Sequence, residues 1–252
     1  TEYQVKITGD IDASNHLFAG YVKISHENVK PEKPEIINPS DTEYINTKTP
    51  ELDWTPYLDT DDIALEYELI LDDNSDFSSP QIDLSGSSIL SDDFYDVTLS
   101  DGLGEGNYYW SVRAWDGTDY SEYSNINSFI IDTISPSTKP DLSAPVIKNG
   151  VVNLSWSAAE DNLAGSGIAY YEIFRESSPA QLIGTTTKTT FSDAPGYGIF
   201  KYFVRAYDNA GNYVDSDPTV EIDLSQLPAP ANFTVVLKDG EALLSWDAVG
   251  GA

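Results

Sequence analysis

Oxygen ligands for a hard cation are the most concentrated chemistry in this sequence. Glu160-Asp161-Asn162 and Asp208-Asn209 form two acidic turns in the second half of the chain. Asp59-Thr60-Asp61-Asp62 and Asp116 stand at comparable places in the first half. Calcium takes about 6–8 oxygens from carboxylates, amide carbonyls and backbone carbonyls. Two such turns brought together would supply them, and the bound ion would offset the repulsion between the carboxylates. Glu160, Asp161, Asn162, Asp208 and Asn209 are therefore candidate ligands in the second half, and Asp59, Asp61 and Asp116 in the first. The twelve-residue spacing of an EF-hand loop is absent. The competing reading is that these acids are solvated, with Asp161 and Asp208 accepting hydrogen bonds inside their own turns.

Other chemistry is sparser. Asn153-Leu154-Ser155 and Asn232-Phe233-Thr234 match the N-glycosylation acceptor pattern. Tyr109, Trp115, Tyr120, Tyr123, Tyr170 and Tyr207 are candidate outward rings of the kind that stack on sugars. Trp115 and Tyr207 occupy equivalent positions, which favours cross-strand packing as their role. The two histidines, His16 and His26, both lie near the start of the chain. No His-Glu-x-x-His, Gly-x-Ser-x-Gly or P-loop pattern is present. The Gly102–Gly106 run opens no helix and reads as a turn. With 42 acidic residues, carboxylate pairs arise by chance, and none is marked as an acid/base dyad. The pattern argues against an enzyme.

Strands must position these turns. Tyr108-Tyr109-Trp110-Ser111-Val112-Arg113-Ala114-Trp115-Asp116 returns as Phe200-Lys201-Tyr202-Phe203-Val204-Arg205-Ala206-Tyr207-Asp208. Aromatic and β-branched residues dominate, and a turn follows each copy. Tyr108, Trp110, Val112 and Ala114 fall on one face, and Arg113 on the other, where it is expected to reach solvent. Leu65, Tyr67, Leu69 and Leu71 alternate in the same way, as do Leu154 and Trp156 around an outward Asn153. Trp54, Trp156 and Trp246 recur about every 90–100 residues, one sandwich per period. Pro-containing linkers separate the periods at Pro31-Glu32-Lys33-Pro34, Ser135–Pro140 and Leu227–Pro230. No helix-length period of 3.6 appears, so the class is all-β.

The strand-B Trp (Trp54, Trp156, Trp246), Tyr67-Glu68-Leu69 and Tyr171-Glu172-Ile173 on strand C, and the aromatic-x-aromatic-x-Val-x-Ala of strand F resemble fibronectin type III domains. The resemblance implies tandem immunoglobulin-like β-sandwiches with partial β segments at both ends. The divisions are 1–30 (the end of a preceding domain, or exchanged strands), 31–134, 135–226, and 227–252 (the first strands of a third domain). It implies that the B–C and F–G loops, which carry the acidic turns, lie at one end of each sandwich. It also implies a tyrosine corner at Tyr108. Phe200 at the equivalent position has no hydroxyl, so that corner should be looser or filled another way. Asp208-Asn209-Ala210-Gly211-Asn212 looks like the variants of prokaryotic surface and secreted proteins.

Composition bounds the partners. Thirteen basic residues against 42 acidic ones give a formal charge of -29, which repels nucleic acid and anionic membranes. With no cysteine, disulfides and thiol chemistry are excluded. No apolar run is long enough to span a membrane. The chain lacks a signal peptide and an initial Met, and reads as a piece of a longer, extracellular or cell-surface protein. Two functions fit. One is a non-catalytic structural subunit of a surface layer, filament or adhesin stalk, self-associating or contacting neighbouring domains. The other is an accessory spacer or carbohydrate-binding region of a secreted hydrolase. The paired strands at each end suggest that strand addition between subunits completes them.

Overall fold

A computed structural model describes residues 28–56, 65–86, 90–219, 221–225, 234–245 and 247. The segment 1–27, with His16 and His26, lies outside the described residues, as do Asp59, Asp61, Asn232 and Trp246.

The first period forms strands β1 (Ile36–Asn38), β2 (Glu43–Ile45), β3 (Glu51–Trp54), β4 (Glu66–Asp72), β5 (Ile82–Leu84), β6 (Phe94–Asp96), β7 (Gly106–Trp115) and β8 (Asn127–Ile131). They make a three-stranded sheet, β1-β3-β6, and a five-stranded sheet, β2-β8-β7-β4-β5. The alternation in the sequence sends Leu52 and Trp54 from one sheet, and Tyr67, Leu69, Leu71, Trp110, Val112 and Phe129 from the other, into one buried cluster. Trp54 is fully buried and meets Tyr67 edge-on, with ring centroids 5.4 Å apart. An edge-to-face pair adds about 0.5–1.5 kcal/mol to the burial itself. β2 pairs parallel with β8, a pairing the short run Glu43-Tyr44-Ile45 does not announce.

The second period forms β9 (Asp141–Leu142), β10 (Val146–Lys148), β11 (Val151–Ser157), β12 (Ile168–Arg175), β13 (Gln181–Thr186), β14 (Thr190–Asp193), β15 (Ile199–Phe200), β16 (Tyr202–Asp208), β17 (Tyr213–Asp215) and β18 (Ile222–Asp223). Its sheets are β10-β11-β14, with β9 also on β11, and β13-β12-β16-β17. A separate core gathers Val152, Leu154, Trp156, Tyr171, Ile173, Tyr202, Val204 and Ile222. Trp156 meets Tyr171 at 5.6 Å, repeating the Trp54–Tyr67 contact. β19 (Thr234–Lys238) and β20 (Glu241–Ser245) form an antiparallel hairpin, and among the described residues they pair only with each other.

The tyrosine corner forms in the first domain: the Gly104 N–H donates to the Tyr108 hydroxyl at 2.8 Å. In the second domain the corner is filled another way. Arg175 donates twice to Asp193, at 2.8 and 2.6 Å, and the Tyr202 hydroxyl donates to the same carboxylate at 2.7 Å. The Arg175 guanidinium lies over the Phe200 ring, 5.8 Å from its centroid.

Arg113 does not stand free in solvent, as alternation alone suggests. It donates to Glu68 from Nε at 2.9 Å and from its terminal nitrogen at 2.6 Å. Tyr120 and Tyr123 stack on it at 3.9 and 4.7 Å. Alternation tells which face a residue takes; it does not tell what then covers that face.

Candidate metal centre at the interdomain junction

The second domain's B–C loop follows β11, and its F–G loop follows β16. The two strands end at the same pole of the sandwich, so Asp161 and Asp208 meet. Asp132 joins them from the first domain, one residue beyond β8. The three carboxylates place oxygens within 4.8 Å of one another, with Asp132 and Asp208 buried and Asp161 half-buried. No lysine or arginine forms an ion pair with any of the three among the described residues.

Backbone amides hold the cluster. Ser166 N donates to Asp132 Oδ2 at 2.7 Å, and Gly167 N donates to Asp161 Oδ2 at 2.6 Å. Asn212 donates to Asp208 from its backbone at 2.8 Å and from Nδ2 at 2.9 Å; Nδ2 also reaches the Asp132 carbonyl at 2.8 Å. The turn bonds of the competing reading are therefore present as well. A β-carbon on Gly165 would lie 2.5 Å from Asp161 Oδ2, so the loop closes this tightly only with glycine there. Burial, together with the charges of Asp132 and Asp161, raises the Asp208 pKa from its ordinary value, against the lowering effect of the Asn212 bonds. Amide donors soften the repulsion among three acids but carry no compensating unit charge. A divalent cation would, and hard oxygen donors suit calcium.

The remaining candidates are placed as follows. Glu160 is exposed; Thr138 and Ser137 bond its backbone rather than its carboxylate. Asn162 donates from Nδ2 to Asp161 Oδ1 at 3.2 Å. Asn209 donates to the carbonyls of Ser166, at 2.7 Å, and Gly167, at 3.1 Å, bracing the two loops. Asp116, the first-domain counterpart of Asp208, accepts from Thr118 N and Asp119 N at 2.7 Å and from Asn28 Nδ2 at 3.0 Å. Asn153 sits mid-strand, donating to the Val146 carbonyl at 3.1 Å and accepting from Ser192 Oγ at 2.8 Å. Asp132 escapes sequence reasoning because its partners lie in the next domain. Its place one residue past the last strand, at the start of the linker, is the only available hint.

Of the six candidate sugar-stacking rings, Trp115 and Tyr120 pack tilted at 4.2 Å, and Tyr170 and Tyr207 stack at 4.9 Å. Those contacts fit the cross-strand role.

No family model matches the chain. Exoglucanase B of Cellulomonas fimi is 29% identical over 158 residues, covering 56% of this chain and 14% of that protein. An alpha-amylase of Niallia circulans is 34% identical over 111 residues, covering 43% and 8%. Chitinase Chi52 of Paenibacillus xylanexedens is 31% identical over 97 residues, covering 37% and 17%. The chain thus spans a small fraction of each of these relatives. Among solved structures, the fibronectin(III)-like modules of Clostridium thermocellum CbhA superpose with a TM-score of 0.52 at 18% identity, over 77% of this chain and 94% of that one. The FN1-FN3 domains of chicken CNTN1 superpose with a TM-score of 0.51 at 13% identity, over 76% and 66%.

Proposed function

We propose that this chain, a tandem of fibronectin type III-like modules, is the non-catalytic accessory region of an extracellular polysaccharide-degrading enzyme. It acts as a spacer whose interdomain joint is set by calcium. The single observation that carries the first part is the run of relatives: an exoglucanase, an amylase and a chitinase share stretches matching this chain, and these stretches are small parts of much longer proteins. Those enzymes differ in substrate, so the common segment fits a role independent of any one reaction. The comparisons favour this reading over a surface-layer, filament or adhesin subunit.

The Asp132–Asp161–Asp208 cluster supports the calcium part. Asp132 belongs to the first domain, and Asp161 and Asp208 to the second, so one ion bound by all three would tie the modules together. Binding to the folded chain alone adds about 2.7 kcal/mol at a hundred times the dissociation constant.

The test is to express the natural full-length polypeptide with and without residues 31–226. Removal is expected to leave hydrolysis of a soluble substrate unchanged and to lower hydrolysis of the insoluble polymer. A full-length polypeptide with no glycoside hydrolase activity would overturn the reading.

A further inference from the structure

The solvent face of the sheet β13-β12-β16-β17 carries an ordered set of aromatic rings. Tyr170, Tyr207 and Tyr213 stand in register on three adjacent strands, a row about 10 Å long at the usual strand spacing. Phe174 and Phe203 form a second row, parallel within 4° and 4.7 Å apart. Between the rows lies a polar line, Glu172–Arg205–Asp215, again in register. Arg205 donates to Asp215 at 2.7 and 3.0 Å and lies 3.9 Å over the Tyr213 ring. Tyr213 is 47% exposed and Tyr170 36%. Aromatic rings in such number on an open face mark an interaction surface.

We infer that this face docks a neutral polysaccharide chain, a conclusion that rests on the accessory-region reading above. The surface alternates apolar, polar and apolar rows. A sugar chain offers the matching set, with C–H faces for the rings and hydroxyls for Arg205, Asp215 and Glu172. An apolar helix laid across it would bury the Arg205–Asp215 pair, which costs desolvation. Anionic polymers meet a formal charge of -29 and an excess of acid on the face itself. The stacked pairs hold their rings in place before any ligand arrives, so little side-chain freedom is lost on binding. Among the described residues, the matching face of the first domain is closed over its polar centre: Tyr120 and Tyr123 lie on Arg113, and Trp115 packs on Tyr120. There Glu68 is only 2% exposed, bonded by Gly86 N and the Tyr120 hydroxyl, and Ser111 is buried.

The experiment is retention of the 252-residue chain on insoluble cellulose, chitin and starch, with affinity electrophoresis in soluble β-glucan. Retention on at least one polymer is expected, unchanged by added sodium chloride because the ligand is uncharged. Tyr213→Ala should weaken it about tenfold, roughly the loss of one aromatic contact, while Tyr213→Phe and the first-domain Tyr109→Ala should leave it intact. Unchanged melting temperatures show that these variants fold. Absence of retention on all polymers, retention that salt abolishes, or equal retention by Tyr213→Ala and wild type would each overturn the docking face. A full-length enzyme that degrades polymer while this chain binds none would refute the docking face alone and leave the accessory role standing.

Discussion

Each domain meets the segment before it at the same pole, yet the two junctions are built from opposite chemistry. At the first, the Asn28 side-chain amide donates to Asp116 at 3.0 Å and to Asp119 at 3.1 Å, so a neutral donor answers the F–G loop carboxylates. At the second, the incoming residue is Asp132, and it brings a third carboxylate to Asp161 and Asp208. Among the described residues, the F–G loop carboxylates of the first junction are met by the protein's own amide. The second is satisfied by amides but left with an excess of negative charge, which a cation would complete. Two copies of one fold can thus share the central core positions, such as Trp54 with Trp156 and Tyr67 with Tyr171, and differ in what their joints require.

The largest expected effect separates the junctions directly. Adding calcium to the chelator-treated chain should raise the second domain's melting temperature by about 5 °C or more, given that 1 kcal/mol shifts a domain of this size by roughly 4–8 °C. The first domain should respond far less. Asp132→Asn should abolish that gain while leaving stability in chelator nearly unchanged, because the substitution removes repulsion along with a ligand.

A second effect concerns cross-strand pairs. Glu68 in the first domain takes four donors: Gly86 N, the Tyr120 hydroxyl and two from Arg113. Glu172, its counterpart, stands opposite Arg205, but Arg205 turns to Asp215. Glu68→Ala should therefore destabilise the first domain by about 2 kcal/mol, and Glu172→Ala should cost the second under about 0.5 kcal/mol. Chemical denaturation of each variant measures both. Gly165→Ala, which forces a β-carbon against Asp161, should cost about 1 kcal/mol and weaken calcium binding more than stability; titration and melting on the same sample separate the two.

The acid limb differs by domain as well. Burial pushes the Glu68 carboxyl up, but its bonds to Gly86, Arg113 and Tyr120 outweigh this and hold it below its usual value. Asp193 is likewise pushed up by burial and held low by Arg175 and Tyr202. A lowered native value means that the unfolded state binds the proton more tightly, so stability is full above the unfolded values and falls with pH. The loss should begin near pH 4.3 for Glu68 and 3.9 for Asp193. Thermal melts from pH 6 to 3 follow it, and Glu68→Gln should flatten the first domain's share. A further small effect is Asn28→Ala, expected to cost about 0.5–1 kcal/mol by removing the amide contacts to Asp116 and Asp119.

Much of the fold was legible because core strands carry long, regular signals. Trp54 and Trp156, with Tyr67 and Tyr171, predicted two sandwiches, and the structure has two cores around those rings. One short strand was not legible: β2 is three residues in a polar stretch, held by its parallel partner rather than by its own sequence. The site was half legible. Asp161 and Asp208 follow from loops that share a pole, but Asp132 depends on how one domain abuts the next, which no local pattern records. Tyr213 was missed for a related reason, since β17 becomes a strand only against β16.

The most direct test is calorimetric titration of calcium into the chelator-stripped 252-residue chain, wild type beside Asp132→Asn. Saturable binding at the junction, lost in the variant, is the predicted result. No heat and no change in melting between calcium and chelator, or equal binding by both chains, would contradict a cation-set joint between the modules.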